Sequence, residues 1–120
     1  MKIENYKLKI SHLKTPLVII FSINLALNIL LWLLALFLFP HNNPSAVLHY
    51  NIDVGIDFIG ESKQIVMLPI AGLLLLAGNS LLAAVLRSTN QRSALLLCYI
   101  IPILQLILIG AFILVWQANQ

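Results

Sequence analysis

The polar residues best suited to chemistry stand at alternate positions between the first two apolar stretches of the chain. They are His49, Asn51, Asp53 and Asp57. Carboxylate and amide oxygens can bind Ca²⁺, and a histidine with an aspartate can bind Zn²⁺. Their spacing, however, lacks the alternating acidic residues, glycine and closing glutamate of an EF-hand loop. We therefore interpret them as the water-facing side of a strand, and we predict no metal or other cofactor.

Apolar residues fill the positions between these polar ones. From residue 48 to residue 58 the apolar set is Leu48, Tyr50, Ile52, Val54, Ile56 and Phe58. A period of two predicts a half-buried strand, with its apolar side on the helices or on lipid headgroups. Gly55, in the middle of the run, is a candidate bulge or bend. The sequence thus predicts a short β-like loop over residues 40–64.

A second group of polar side chains lies within the apolar stretches. Asn24 and Asn28 are four residues apart and share one helix face, and Asn79 and Gln105 belong to the later stretches. Buried amides need partners, and a hydrogen bond between membrane helices contributes about 0.6–2 kcal/mol. At a rise of about 1.5 Å per residue, the depths of these residues predict direct Asn24–Asn79 and Asn28–Gln105 contacts in one bundle.

The composition requires a membrane around these helices. The chain of 120 residues is 61% hydrophobic and 9% charged, whereas soluble proteins average about 25% charged residues. Three runs without Asp, Glu, Lys, Arg or His reach the roughly 20 residues that a membrane span needs, namely 17–39, 65–86 and 93–116. The first run is too long for a signal peptide, whose apolar region is about 7–15 residues. We predict a single all-α domain with three transmembrane helices.

The distribution of basic residues predicts how the chain is threaded. Short cytoplasmic segments carry an excess of Lys and Arg. The N-terminal segment holds Lys2, Lys7, Lys9 and Lys14, and the connection between the second and third spans holds Arg87 and Arg92. The 40–64 loop is acidic by comparison. We therefore expect a multi-pass cell-membrane protein with a cytoplasmic N-terminus and an extracytoplasmic loop and C-terminus, and we read the net charge of +3 as a topology signal rather than evidence for nucleic-acid binding.

Residues 2–14 show a helical rather than a two-residue period. Their apolar side chains share one face with Leu17, and lysines flank that face: the apolar set is Ile3, Tyr6, Ile10 and Leu13. This pattern predicts an interfacial amphipathic helix on the inner headgroups, with Thr15 and Pro16 beginning the first span. The alternative is a frayed, lysine-rich topology signal.

Several membrane-protein classes lack the residues that they need. None of the spans contains an ionisable residue of the kind on which ion pumps and proton-coupled transporters depend. Small diacylglycerol kinases require glutamates in the membrane, yet Glu4 and Glu61 lie outside the spans. Haem-binding anchor subunits require an intramembrane histidine, which is also absent. Cys98 is the sole cysteine and excludes an internal disulfide. We predict that the protein is not an enzyme.

The outer loop and the start of the second span carry a spaced set of residues: His49-Tyr50-Asn51, Gly55, Asp57, Gly60, Lys63 and Pro69. In this pattern the loop resembles a module of unknown function in bacterial membrane proteins related to the Sdp toxin-immunity and signal-transduction protein. The glycine spacing differs, the prolines before the histidine are displaced to Pro44, and the longer multi-span body is missing. The resemblance implies an extracytoplasmic recognition loop, with His49, Asn51, Asp53, Gly55, Asp57, Gly60 and Lys63 as its recognition residues.

These observations favour a non-catalytic membrane protein that acts through its helices and its outer loop. A small-residue surface on the second span suits close helix contact and consists of Ala77, Gly78, Ser80 and Ala84. The expected role is an accessory subunit, scaffold, immunity or sensing protein, whose partner besides the lipid bilayer is another membrane protein or a second copy. The alternative is an oligomeric pore or small-solute carrier lined by Asn24, Asn28, Asn79 and Gln105.

Overall fold

The structure is a computed structural model that describes residues 2–51 and 53–120, with side chains described from Leu17 onward except at Tyr50. The fold has three long helices, and two short helical turns and a hairpin lie between the first and the second of them. In chain order the elements are α1 (Lys2–Leu33), a π-helical turn (Leu34–Leu38), β1 (Ser45–Asn51), β2 (Gly55–Glu61), a 3₁₀ turn (Ser62–Val66), α2 (Met67–Leu86) and α3 (Gln91–Gln117).

Three helical segments are long and apolar enough to cross a membrane, as the sequence predicts. They are Leu17–Leu38, Ser62–Leu86 and Gln91–Gln117. Their outward surfaces consist of large apolar side chains such as Leu74, Leu81 and Leu96, which are largely exposed. Such a surface is stable in lipid and not in water. The chain is therefore a mostly helical membrane protein with a small sheet.

The first helix differs from the prediction at Thr15 and Pro16. α1 continues without a break from Lys2 to Leu33, so these two residues do not begin a new helix. A proline removes one backbone hydrogen bond, and a membrane helix tolerates this loss because neighbouring groups compensate for it. The predicted interfacial stripe concerns side chains outside the described ones and stays a prediction.

The alternating segment 48–58 forms parts of two strands of a hairpin, and not the single strand that its two-residue period predicts. β1 and β2 pair in antiparallel fashion, with Val47 opposite Ile59 and irregular register around His49. The chain reverses through a turn at residues 53–54, and Gly55 has a φ of 83°, a conformation that glycine adopts without strain. The predicted bend therefore occurs at Gly55. The two-residue period continues across this tight turn, so the alternation alone does not reveal the reversal.

The apolar core lies at the end of the bundle that carries the hairpin. Its buried members come from the end of the first span, β1, the 3₁₀ turn and α3: Leu31, Ala35, Phe39, Ala46, Ile65, Phe112 and Val115. The rings of Phe39 and Phe112 meet edge to face with their centroids 6.3 Å apart. Because Ala46 belongs to this cluster, the hairpin is packed onto the helices rather than suspended above them.

One side chain of the C-terminus fixes the hairpin in place. The Asn119 amide accepts a hydrogen bond from the Val47 N–H at 2.9 Å and donates one to the Val47 carbonyl at 2.8 Å. The same amide nitrogen donates to the Val115 carbonyl of α3 at 2.7 Å. Both backbone groups of Val47 thus face away from β2 and are satisfied by the end of α3. At the neck of the hairpin, the Ser62 N–H donates to the Pro44 carbonyl at 3.1 Å.

We expect Asn119→Ala to loosen the hairpin from the bundle. Two hydrogen bonds to Val47 are lost, each contributing about 1 kcal/mol, so the Val47 amide should exchange its hydrogen about tenfold faster or more. Hydrogen–deuterium exchange of the segment 45–51 measures this rate. Gln120→Ala is the matched control, because the Gln120 side chain bonds to the Trp116 carbonyl one turn back, at 3.4 Å, and not to the hairpin residues that the structure describes. Equal exchange in both variants would contradict the role of Asn119.

Candidate functional site

The buried amides of α1 and α3 meet the backbone of α2. Asn28 and Gln105 are 2% and 1% exposed. The Asn28 amide nitrogen donates to the Pro69 carbonyl at 3.1 Å, and the Gln105 amide nitrogen donates to the Gly72 carbonyl at 2.9 Å. The two bonds reach carbonyls one turn apart. They connect all three helices within one layer, which we call the amide layer.

Gly72 makes this arrangement possible because it has no side chain. A Cβ at that position would stand 2.6 Å from the Asn28 amide nitrogen and 2.8 Å from the Gln105 amide oxygen. Both amides therefore lie against the same glycine. The sequence predicts that Asn28 and Gln105 are hydrogen-bond partners of each other, and this is wrong. Each of them donates to a carbonyl of α2 instead. Counting residues along each span predicts that the two side chains lie at the same depth in the membrane. It does not predict that the backbone of α2 lies between them.

The predicted Asn24–Asn79 hydrogen bond does not form. The Asn24 amide nitrogen donates to the Ile20 carbonyl at 2.9 Å, and that of Asn79 donates to the Leu75 carbonyl at 3.0 Å. Each amide thus bonds to its own helix, one turn back. Asn24 is fully buried, whereas Asn79 is partly exposed. The prediction was based on the depth of each residue in the membrane. Depth alone does not say how each helix is rotated about its axis, and therefore does not say which side chains face each other.

Two amide oxygens in the bundle have no hydrogen-bond partner among the described residues. They are Asn24 Oδ1 and Gln105 Oε1, both buried. The physical reason is the composition of a helical interior. Beyond the first turn of a helix the backbone N–H groups are already used, so carbonyl acceptors remain available and donors do not. The nitrogen of a buried amide therefore readily finds a carbonyl acceptor, whereas its oxygen finds no free donor on the neighbouring helices.

We expect Gly72→Ala to destabilise the bundle and Gly78→Ala to leave it intact. The added methyl group at residue 72 meets both amides, and overpacking of this kind costs about 1–3 kcal/mol. At Gly78 a Cβ would meet nothing within 4 Å, and alanine is the better helix former. Thermal unfolding in detergent, followed by circular dichroism, should show a lower midpoint for Gly72→Ala alone. Equal midpoints would exclude the amide layer as a stabilising contact.

The small residues of α2 do not form one surface. Ser80 and Ala84 line a crevice of about 300 Å³ between the three helices, at the end of the bundle that carries Arg87. Gly78 faces away from the other helices. The predicted small-residue surface of Ala77, Gly78, Ser80 and Ala84 is thus divided between a crevice and the lipid-facing side. Sequence spacing alone does not distinguish these two directions.

The hairpin brings two of the predicted recognition residues together. His49 Nδ1 donates to Asp57 Oδ1 across the strands at 2.5 Å, and both side chains remain accessible. The Asp53 N–H donates to the Asn51 side-chain oxygen at 3.0 Å, which belongs to the turn. Lys63 lies in the 3₁₀ turn beyond β2. A solvent-exposed polar contact of this kind contributes little to stability.

Gly60 has a packing role that its place in the motif does not reveal. A Cβ there would collide with the Gln64 side-chain oxygen and would stand 2.7 Å from the Leu48 side chain. The same Gln64 oxygen accepts a hydrogen bond from the Glu61 N–H at 3.0 Å. Gly60 therefore lets Gln64 close the junction between β2 and the helix that follows.

The positions of the side chains bear on whether His49, Asn51, Asp53 and Asp57 could bind Ca²⁺ or Zn²⁺. Among the side chains that the structure describes, from Leu17 onward, no group of three His, Cys, Asp or Glu comes close enough to hold a metal ion. The ring nitrogen Nε2 of His41 bonds to the Ala35 carbonyl at 3.1 Å instead.

The sequence prediction missed an exposed apolar surface on β2. Ile56, Phe58 and Ile59 are 54%, 52% and 62% exposed, and we call them the hairpin surface. Beneath it runs a groove of about 560 Å³ between the hairpin and the helices, which Leu48, Phe58 and Leu114 help to line. The hairpin surface covers both faces of β2, with Ile56 and Phe58 on one face and Ile59 on the other. One signal could have revealed it: Phe58 and Ile59 are adjacent, so the alternation of apolar and polar residues ends there.

Comparison of the chain with protein-family models, with curated proteins and with solved structures finds no match in any of the three.

Proposed function

We propose that the protein is a non-catalytic membrane subunit that presents the hairpin surface to a protein partner outside the cytoplasm. The main support for this proposal is that the hairpin is attached to the helix bundle while the apolar residues of its second strand are exposed. Asn119 and Ala46 fix β1 to the bundle, yet Ile56, Phe58 and Ile59 remain uncovered. Ile56 and Phe58 share one face of β2, and an exposed apolar patch on an ordered surface is typical of a protein interaction site. The role is that of an accessory, scaffold, immunity or sensing protein.

The charges at the two ends of the bundle support the orientation. The hairpin carries Asp53, Asp57 and Glu61, while Arg87 and Arg92 belong to the opposite end. The positive-inside rule then places the hairpin and the C-terminus outside and the N-terminus in the cytoplasm of a cell membrane. The resemblance of the loop to the Sdp-type module agrees with a recognition role on that side.

The edges of the sheet indicate how a partner would bind. The sheet of the described residues has two strands, and the outer groups of β1 at Val47 are occupied by Asn119. β2 therefore offers the free edge, beside the exposed Ile56 and Phe58 side chains. An extended segment of a partner can add to such an edge through backbone hydrogen bonds, while the apolar side chains provide specificity.

The alternative of an oligomeric pore has less support. Its lining would consist of Asn24, Asn28, Asn79 and Gln105. Three of these amides are buried inside a single bundle, where Asn28 and Gln105 bond to the backbone of α2. An oligomeric channel is lined by outward-facing residues of each subunit, and the outward faces of these helices are apolar.

Native mass spectrometry of the protein, gently extracted from its own membrane, tests the proposal. We expect a complex of defined mass that contains a second protein. The double substitution Phe58→Ser and Ile59→Ser should reduce this complex at least tenfold, because the apolar contact is the main source of affinity. Leu81→Ala is the control, since Leu81 is exposed on the lipid-facing side of α2.

A bare monomer from the wild-type chain would contradict the proposal, and so would a complex that survives the double substitution. Hydrogen–deuterium exchange of the segment 45–61 in the double variant should match that of the wild type, which shows that the hairpin is still docked and only its surface has changed.

A further inference from the structure

The crevice between the three helices has the form of a ligand site. Its volume of about 300 Å³ is at the lower end of the range for small-molecule pockets. Leu17 and Val18 of α1, Leu76 of α2 and Leu95 of α3 contribute to a mostly apolar lining. Along α2 the lining extends from Leu76 to Arg87, a distance of about 16 Å at about 1.5 Å per residue. The shape suits one alkyl chain lying parallel to the helices.

One residue that lines the crevice carries an unsatisfied acceptor. This residue is Asn24, which is fully buried, and its Oδ1 has no hydrogen-bond partner among the described residues. The amide nitrogen of Asn24 already donates to Ile20, which orients the side chain. A buried acceptor without a donor destabilises the folded state, because it has lost its hydrogen bond to water. A ligand with a hydroxyl group at this depth would remove this destabilisation, whereas an ordinary alkyl chain would not.

The mouth of the crevice carries a positive charge. Arg87 and Gln91 line it where α2 ends and α3 begins. The described carboxylates Asp53, Asp57 and Glu61 all belong to the hairpin at the other end, so none of them neutralises Arg87 here. A guanidinium group in this position suits a carboxylate or another acidic head at the membrane surface.

We propose that this crevice binds a single-chain anionic amphiphile with a hydroxyl group in the middle of its chain, such as a hydroxylated fatty acid. The acidic head pairs with Arg87, the chain fills the apolar crevice, and the hydroxyl donates to Asn24 Oδ1. The proposal is independent of the partner at the hairpin surface, because the two sites lie at opposite ends of the bundle.

Binding of 12-hydroxyoctadecanoate and octadecanoate to the purified protein in a nonionic detergent, measured by native mass spectrometry, tests this inference. The two probes differ by one hydroxyl group. We expect the wild-type protein to bind the hydroxylated acid about fivefold to tenfold more tightly, as one buried hydrogen bond provides. In Asn24→Leu the preference should disappear, while octadecanoate still binds.

Two further variants examine the mouth and the wall of the crevice. Arg87→Gln should weaken both acids about tenfold, and Arg92→Gln should change neither, because Arg92 belongs to the same region and does not line the crevice. Ala84→Leu should block both acids; Ala84 is exposed on α2, so the larger side chain fills the crevice without disturbing the core.

The inference is overturned if the wild type binds the two acids equally. It is also overturned if Arg87→Gln and Arg92→Gln have the same effect, or if Ala84→Leu, folded by circular dichroism, binds as the wild type does. Each of these outcomes leaves the hairpin complex untouched, so failure of this inference and failure of the proposed function are distinguishable.

Discussion

The shortage of hydrogen-bond donors inside a helical membrane bundle governs this structure. Every helix offers carbonyl groups as acceptors, whereas its N–H groups are already bonded beyond the first turn. Asn28 and Gln105 meet this constraint by donating to α2, on either side of Gly72. The contact joins three helices whose apolar surfaces alone have little preference for one another over lipid. The amide layer thereby specifies which faces of the helices are turned inward.

The same constraint separates the two ends of the molecule. At the hairpin end an apolar core fills the space between the helices, and Asn119 supplies both a donor and an acceptor to Val47. At the Arg87 end the helices leave a crevice, and Asn24 retains an unsatisfied oxygen. One end is packed and carries the hairpin surface. The other end is open between the helices, and it carries the chemistry that we assign to an amphiphile.

The hairpin combines rigidity with exposure, and these two properties have different sources. Rigidity comes from residues that belong to the bundle, namely Asn119, Ile65 and Phe112, which hold β1 through hydrogen bonds and burial of Ala46. Exposure comes from β2, whose apolar side chains Ile56, Phe58 and Ile59 remain more than half accessible. In the function that we propose, such a pre-ordered surface would lose little conformational entropy on binding a partner, which favours affinity.

The sequence alone determined the class of the protein. Three apolar runs of sufficient length require membrane helices, because only closed hydrogen-bonded elements are stable in lipid. It also predicted extended structure around His49 and Gly55, and it identified Asn28 and Gln105 as polar groups at one depth. The tertiary structure decided the hydrogen-bond partners of these amides, the reversal at Gly55 and the contact between Asn119 and Val47, 72 residues apart. The reason is physical: the rotation of each helix about its axis, and the order in which helices pack, arise from contacts between distant residues and leave no periodic signal in the chain.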